Sequence, residues 1–288
     1  MMTPNQDERY LLTIDCNDVV GIVAAVAGFL AQRKLFITES SHYGDPQTCR
    51  FFMRTSFVPQ KEAFSPTEFK AAFNEIASSF DMTWSLHDVR VPPRICIMVS
   101  QFGHCLNDLL YRQKTGALAV NITAIVSNHL DFAPLAQAHN IPFIHLPVTA
   151  QTKLRMEERL FELLEETDTE LLVLARYMQI LSDAACTRLA GHAINIHHSF
   201  LPGFKGARPY HQAHARGVKL IGATAHFVSP QLDEGPIIEQ MVTPVTHSVD
   251  VKEMIARGRD IESIVLARAV KAYAERRIFL NGNKTVIF

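Results

Sequence analysis

Val91-Pro92-Pro93-Arg94-Ile95-Cys96-Ile97-Met98-Val99-Ser100 divides the chain. Two adjacent prolines cannot sit inside a helix or a central strand, so 91–94 reads as a short, stiff linker. The apolar run that follows reads as a strand buried on both faces, as in a parallel sheet. Toward the C-terminus the pattern returns. Ile122 to Ser127, Pro142 to Leu146, Leu171 to Ala175 and Ala193 to His197 are short apolar strands, separated by helical stretches such as Leu106 to Lys114 and Leu154 to Glu166. Strands alternating with helices predict a doubly wound, mainly parallel α/β domain over 95–288, with ligands beyond the carboxyl ends of its strands.

Toward the N-terminus the rhythm is shorter. Tyr10 to Ile14 reads as a strand, and Gly21 to Arg33 as a helix with its apolar stripe at Ile22, Val26, Phe29 and Leu30. Phe36 to Tyr43 and Arg50 to Phe57 are strands joined through the turn Gly44-Asp45-Pro46. Ser65-Pro66-Thr67-Glu68 opens a second helix bearing Phe69, Phe73 and Ile76, and Met82 to Val89 closes the unit. The order βαββαβ predicts a ferredoxin-like domain over 1–90. Val19 to Ala31 loosely imitates a signal peptide's apolar region, but Asp7, Glu8, Asp15 and Asp18 precede it and the run is too short to span a bilayer, so it reads as a buried helix.

Composition narrows the partners. The 288 residues carry 28 Lys plus Arg against 29 Asp plus Glu, a formal net charge of -1, which supplies no field for a polyanion; neither nucleic acid nor a membrane is expected as a partner. Five Cys without paired spacing fit a reducing compartment, the cytoplasm by default, with each thiol a small apolar core residue.

The densest polar cluster is Ile194-Asn195-Ile196-His197-His198-Ser199. On a strand, Asn195 and His197 project from one face, placing an amide donor beside an imidazole at the strand's carboxyl end. The pair suits a carbonyl reaction, with the amide donating to a developing oxyanion and the imidazole moving a proton. Equally, the two residues could satisfy each other and nearby backbone. Leu232-Asp233-Glu234-Gly235-Pro236, between the strand-like Gly222 to Val228 and Ile237 to Val242, is either a plain turn or the source of a carboxylate, Asp233, to join them. No metal is expected: His197-His198 and His211-x-x-His214 are the close groupings of the 13 His, and neither has the spacing of a helix-face zinc pair. The loop Gln101 to Cys105 holds one glycine, Gly103, too few for a phosphate cradle.

Taken in order, Ile194 to Pro202, Gly206-Ala207-Arg208-Pro209-Tyr210-His211-Gln212, Gly222 to Phe227 and Leu232 to Ile238 resemble the folate-dependent formyltransferase fold, and within it the formyltetrahydrofolate deformylase family. Leu174 to Leu181 resembles that fold's pterin-pocket segment, and Asp18 to Ala24 resembles the first turn of an ACT domain. The resemblance implies hydrolysis of 10-formyltetrahydrofolate to formate and tetrahydrofolate, supplying formate for purine synthesis and balancing folate pools, with no cofactor beyond the folate substrate. It implies a catalytic trio of Asn195, His197 and Asp233, in which Asn195 and a protonated His197 hold the oxyanion and Asp233 takes the water's proton or orients the group. It implies substrate contacts at Met178, Ile180, Leu181, Ser229 and Gly235. It further implies a homo-oligomer with glycine and methionine as effectors at the ACT domain, for which a plain dimerisation module is the alternative. The sister enzyme that formylates glycinamide ribonucleotide has a glycine-rich phosphate loop where this chain has Gln101 to Cys105, which favours water as acceptor. Two readings stay open beside the hydrolase: a formyltransferase to a small amine, and a sensor whose second domain only binds folate.

Overall fold

β1 (Tyr10–Asn17) pairs antiparallel with β3 (Arg50–Pro59) on one side and β4 (Thr83–Asp88) on the other, and β2 (Leu35–Asp45) adds beyond β3, giving the order β2-β3-β1-β4. This computed structural model describes residues 8–60, 64–203 and 209–288. α1 (Ile22–Gln32) and α2 (Pro66–Ser79) cross over one face of the sheet. Ile22, Val26, Phe29 and Leu30 meet Phe69, Phe73, Leu12 and Phe57 in a single cluster, so the ferredoxin-like reading of the apolar stripes holds. Ser65 accepts from the Glu68 N–H at 3.3 Å and Pro66 fills the first turn, which is why α2 starts there.

The second sheet has seven strands in the order β11-β10-β9-β8-β5-β6-β7. β5 (Arg94–Val99), β6 (Asn121–Ser127), β7 (Phe143–His145), β8 (Leu171–Leu174) and β9 (Ala193–His197) run parallel, while β10 (Leu220–Phe227) and β11 (Ile237–Pro244) close the edge antiparallel. The order reverses between β5 and β8, the doubly wound arrangement expected from the sequence. The connecting helices are α3 (His104–Lys114), α4 (Ala133–Ala138), α5 (Lys153–Glu166), α6 (Asp183–Arg188) and α7 (Pro209–Ala215). A long helix missing from the sequence reading follows, α8 (Val251–Ala274), capped by Asp250, which accepts from the Glu253 N–H at 2.7 Å.

One boundary needs correction. The chain divides into a unit of Met1–Pro92 with Arg276–Asn281 and Val286–Phe288, and a unit of Pro93–Glu275 with Gly282–Thr285, so the second domain does not run unbroken to residue 288. The tail forms the hairpin β12 (Ile278–Asn281) and β13 (Lys284–Ile287). Phe279 packs its ring 5.7 Å from that of Phe52, and Asn281 Nδ2 donates to Asp45 Oδ2 at 2.6 Å. Two four-residue strands carry too little periodicity to announce such a partner. Nor is every thiol in a core: Cys16, Cys96, Cys105 and Cys186 are buried, but Cys49 is exposed at a turn with φ 54°. Among the described residues no helix is long and apolar enough to cross a membrane.

Candidate active site

β9 carries Asn195 and His197 to the carboxyl end of the sheet, on one face as the strand period requires. In the register with β10, His226 lies opposite Asn195 and Thr224 opposite His197. Asp233 arrives from the loop between β10 and β11 with φ 58°, a left-handed conformation that Asp tolerates better than most side chains. Two residues on, Gly235 lets the loop fold back onto β10: a Cβ there would stand 1.8 Å from the Phe227 carbonyl oxygen. The result brings Asp233 Oδ2 to 3.2 Å from His197 Nδ1 and Asp233 Oδ1 to 3.8 Å from His226 Nε2. The three residues singled out in the sequence therefore meet.

Hydrogen bonding sets the orientation of each group. His226 Nδ1 donates to the Phe227 carbonyl at 2.8 Å, which leaves Nε2 as an acceptor, and Asn195 Nδ2 lies 3.2 Å from it. The second N–H of the Asn195 amide remains for a ligand. His197 Nε2 is buried with no hydrogen-bond partner among the described residues. Burial raises the affinity of Asp233 for a proton, but the hydrogen bond from His197 and the neighbouring imidazoles outweigh it, so the carboxyl sits below its ordinary range. Burial pushes His226 down, which keeps it neutral near pH 7.

Burial, with the Arg176 guanidinium nearby, also pushes His198 down to about 4. An unfolded histidine titrates near 6.5, so stability present above that pH is lost as pH falls toward 4, by about 3 kcal/mol from His198. His198→Gln should therefore lose less stability than the parent between pH 7 and pH 4.5 in denaturant titrations. An equal loss in both proteins would reject the assignment.

Asn195, His197 and Asp233 line one wall of a cavity of about 520 Å³. Another stretch of its wall is formed by Met178, Ile180, Leu181 and Ser229. Ser100 Oγ fixes this wall by accepting from the Met178 N–H at 3.0 Å, and Glu157 fixes its far end by accepting from the Ser182 N–H at 2.7 Å. A mostly apolar cleft with a few convergent polar groups suits a flat heterocycle with an amide edge. Gly235 stands off this wall. Its missing side chain serves the turn, where a Cβ would meet the Phe227 carbonyl.

Sequence reading missed His226, Arg176, His104, Tyr210 and Glu262. A cross-strand register signal existed for His226, two strand positions beyond Thr224, but the others sit on separate elements with no spacing to connect them. His104, Cys105 and Glu262 offer ligand atoms within 4.8 Å of one another, yet burial pushes the Cys105 thiol up and the His104 imidazole is already spent on Glu262, so the set is satisfied internally. His211 and His214 are exposed on α7.

Comparison with known proteins fits this geometry. The formyl transferase family model matches residues 93–270. A formyltetrahydrofolate deformylase of Corynebacterium sp. strain P-1 is 45% identical over 98% of this chain and 99% of its own. One of Bacillus subtilis is 44% identical over 99% and 95%. The chain belongs to the formyltetrahydrofolate deformylase family. The crystal structure of the Burkholderia mallei deformylase superposes with a TM-score of 0.94 at 53% identity, covering 98% of this chain and 99% of that one. Deformylase relatives match from end to end, so the family extends over the ferredoxin-like unit as well as the seven-stranded one.

Proposed function

We propose that this member of the deformylase family hydrolyses 10-formyltetrahydrofolate to formate and tetrahydrofolate at the cleft beside β9. The observation that carries the reading is the junction of an amide donor, an imidazole and an ionised carboxyl on the wall of one cavity, in a chain matched along its length by deformylases. The pterin lies against Met178, Ile180 and Leu181, with Ser229 at the rim.

Asp233, accepting from His197 Nδ1, holds the tautomer whose Nε2 is bare, on a residue that lines the cleft. A water gives its proton to that nitrogen as its oxygen attacks the formyl carbon. The free N–H of Asn195, aimed by the bond to His226, meets the oxyanion. Collapse breaks the bond to N10, which takes the proton back from His197 Nε2, and the formic acid released loses its own proton to water. In this reading Asp233 orients, one of the two roles left open for it, and His197 takes the water's proton, in place of the protonated, oxyanion-holding His197 that the resemblance implied.

The ferredoxin-like unit is read as the regulatory part, taking glycine or methionine, in a homo-oligomer. A hollow bounded by Asp18, Val20, Gly21, His42 and Gly44 supports that reading.

Pure protein given 10-formyltetrahydrofolate and no amine should release formate and tetrahydrofolate in equal amounts. Dependence on an added amine would reverse the reading in favour of a transferase. In the same assay a rate unmoved by glycine or methionine would reduce the first unit to a plain pairing module.

A further inference from the structure

Doubly wound sheets bind ligands where the strand order reverses, beyond the carboxyl ends of β5 and β8. Here that crevice is filled from within. Glu262 of α8 is 1% exposed: its Oε1 accepts from the Tyr210 hydroxyl at 2.8 Å, and its Oε2 accepts from His104 Nε2 at 2.6 Å and lies 3.2 Å from Arg176 NH1. Burial pushes Glu262 up, but the bond from His104 and the Arg176 charge outweigh it and the carboxyl falls below its usual range. Four separate elements converge, namely the turn after β8, α3, α7 and α8. α8 is shaped for the contact, since a Cβ at Gly258 would stand 2.0 Å from the Tyr210 hydroxyl oxygen.

Arg176 is the member that touches the reaction site. It lines the same cavity as Asn195 and His197, and its side chain is 10% exposed. Its Nε and NH1 make no hydrogen bond among the described residues, so it is held by charge and by the Phe102 ring, 5.5 Å from Cζ. Its φ of 65° costs a non-glycine residue roughly 1–2 kcal/mol. A buried ion pair roughly breaks even against apolar side chains of similar volume, so stability does not account for a strained, desolvated arginine at this position.

We propose that Arg176, with Glu262, His104 and Tyr210, is a plug that denies an amine co-substrate its place beside the formyl carbon. The plug makes water the nucleophile, and the proposal rests on the hydrolase reading above. Water needs about 30 Å³, whereas an amine needs room for several heavy atoms and a partner for its other polar groups. Glu262 is the natural partner, but its oxygens are taken by internal donors. Without the Arg176 side chain, that carboxylate borders the cavity. An amine nitrogen then attacks the formyl carbon, a C–N bond forms, the bond to N10 breaks, and the proton lost by the amine reaches N10 through His197. The products are the N-formyl amine and tetrahydrofolate.

The test is the product ratio of Arg176→Gly, a substitution the left-handed backbone favours, with glycinamide and hydroxylamine as acceptors. His104→Ala and Tyr210→Phe loosen the same plug with smaller loads on the fold. In the parent, formate should dominate at every amine concentration. In the folded variants the ratio of formyl-amine to formate should rise at least about tenfold, the discrimination that pocket shape can supply. A folded variant whose ratio equals the parent's overturns the plug, as does one that loses both reactions. A parent that releases no formate without amine fails the hydrolase reading instead, whatever the variants do.

Discussion

Asn195→Ala should lower kcat about 10²–10³-fold with KM for the folate and Tm close to the parent's. That is the cost of removing one donor from an oxyanion site. Asn195 is partly exposed midway along β9, and its side chain makes one described hydrogen bond, to His226, so the fold loses little when the amide goes. The developing oxyanion loses a donor that has no ground-state substitute. Asn195→Asp discriminates further, because a carboxylate of nearly the same shape repels the oxyanion and should be at least as damaging as Ala. Steady-state kinetics with thermal denaturation of each variant measure both quantities. A kcat within tenfold of the parent in Asn195→Ala would remove the amide from the chemistry.

Gly235→Ala should destabilise the second unit by about 3 kcal/mol, the upper end of ordinary overpacking costs. The added methyl would meet the Phe227 carbonyl oxygen at 1.8 Å and its carbon at 2.8 Å, and backbone at the paired end of β10 cannot move aside as a long side chain can. Phe227 is pinned there by its own N–H, which donates to the Pro236 carbonyl at 2.9 Å. The loop must open, taking Asp233 from His197, so activity should fall with stability. Gly28→Ala, inside α1 with nothing within 4 Å of a new Cβ, should instead stabilise, by up to about 1 kcal/mol. Denaturant titration of both variants checks the contrast. A Gly235→Ala protein as stable as the parent would mean the loop is looser than its contacts imply.

Periodicity carried much of the architecture. The stripe at Ile22, Val26, Phe29 and Leu30 and the apolar runs after Pro93 could bury their side chains in few ways, and the two sheets are those ways. α8 carried the same kind of signal, Met254, Ile261 and Val265 at helical spacing, but the charged residues interleaved with them dilute the stripe. The C-terminal hairpin escaped because pairing between distant short segments leaves no local trace.

For the site, Asn195 and His197 were legible because a strand's period of two places them on one face whatever surrounds them. Met178, Ile180 and Leu181 were legible through the resemblance of their segment. That Asp233 reaches His197 was decided by the tertiary structure, through a left-handed residue and a glycine pressed against the next strand. The glycine-poor loop at Gln101 to Cys105 argued by itself against a phosphorylated partner. What stands in that place, the Arg176 and Glu262 pair closed by His104 and Tyr210, depended on four elements meeting, because electrostatic partners are chosen by distance in space and sequence order does not encode it.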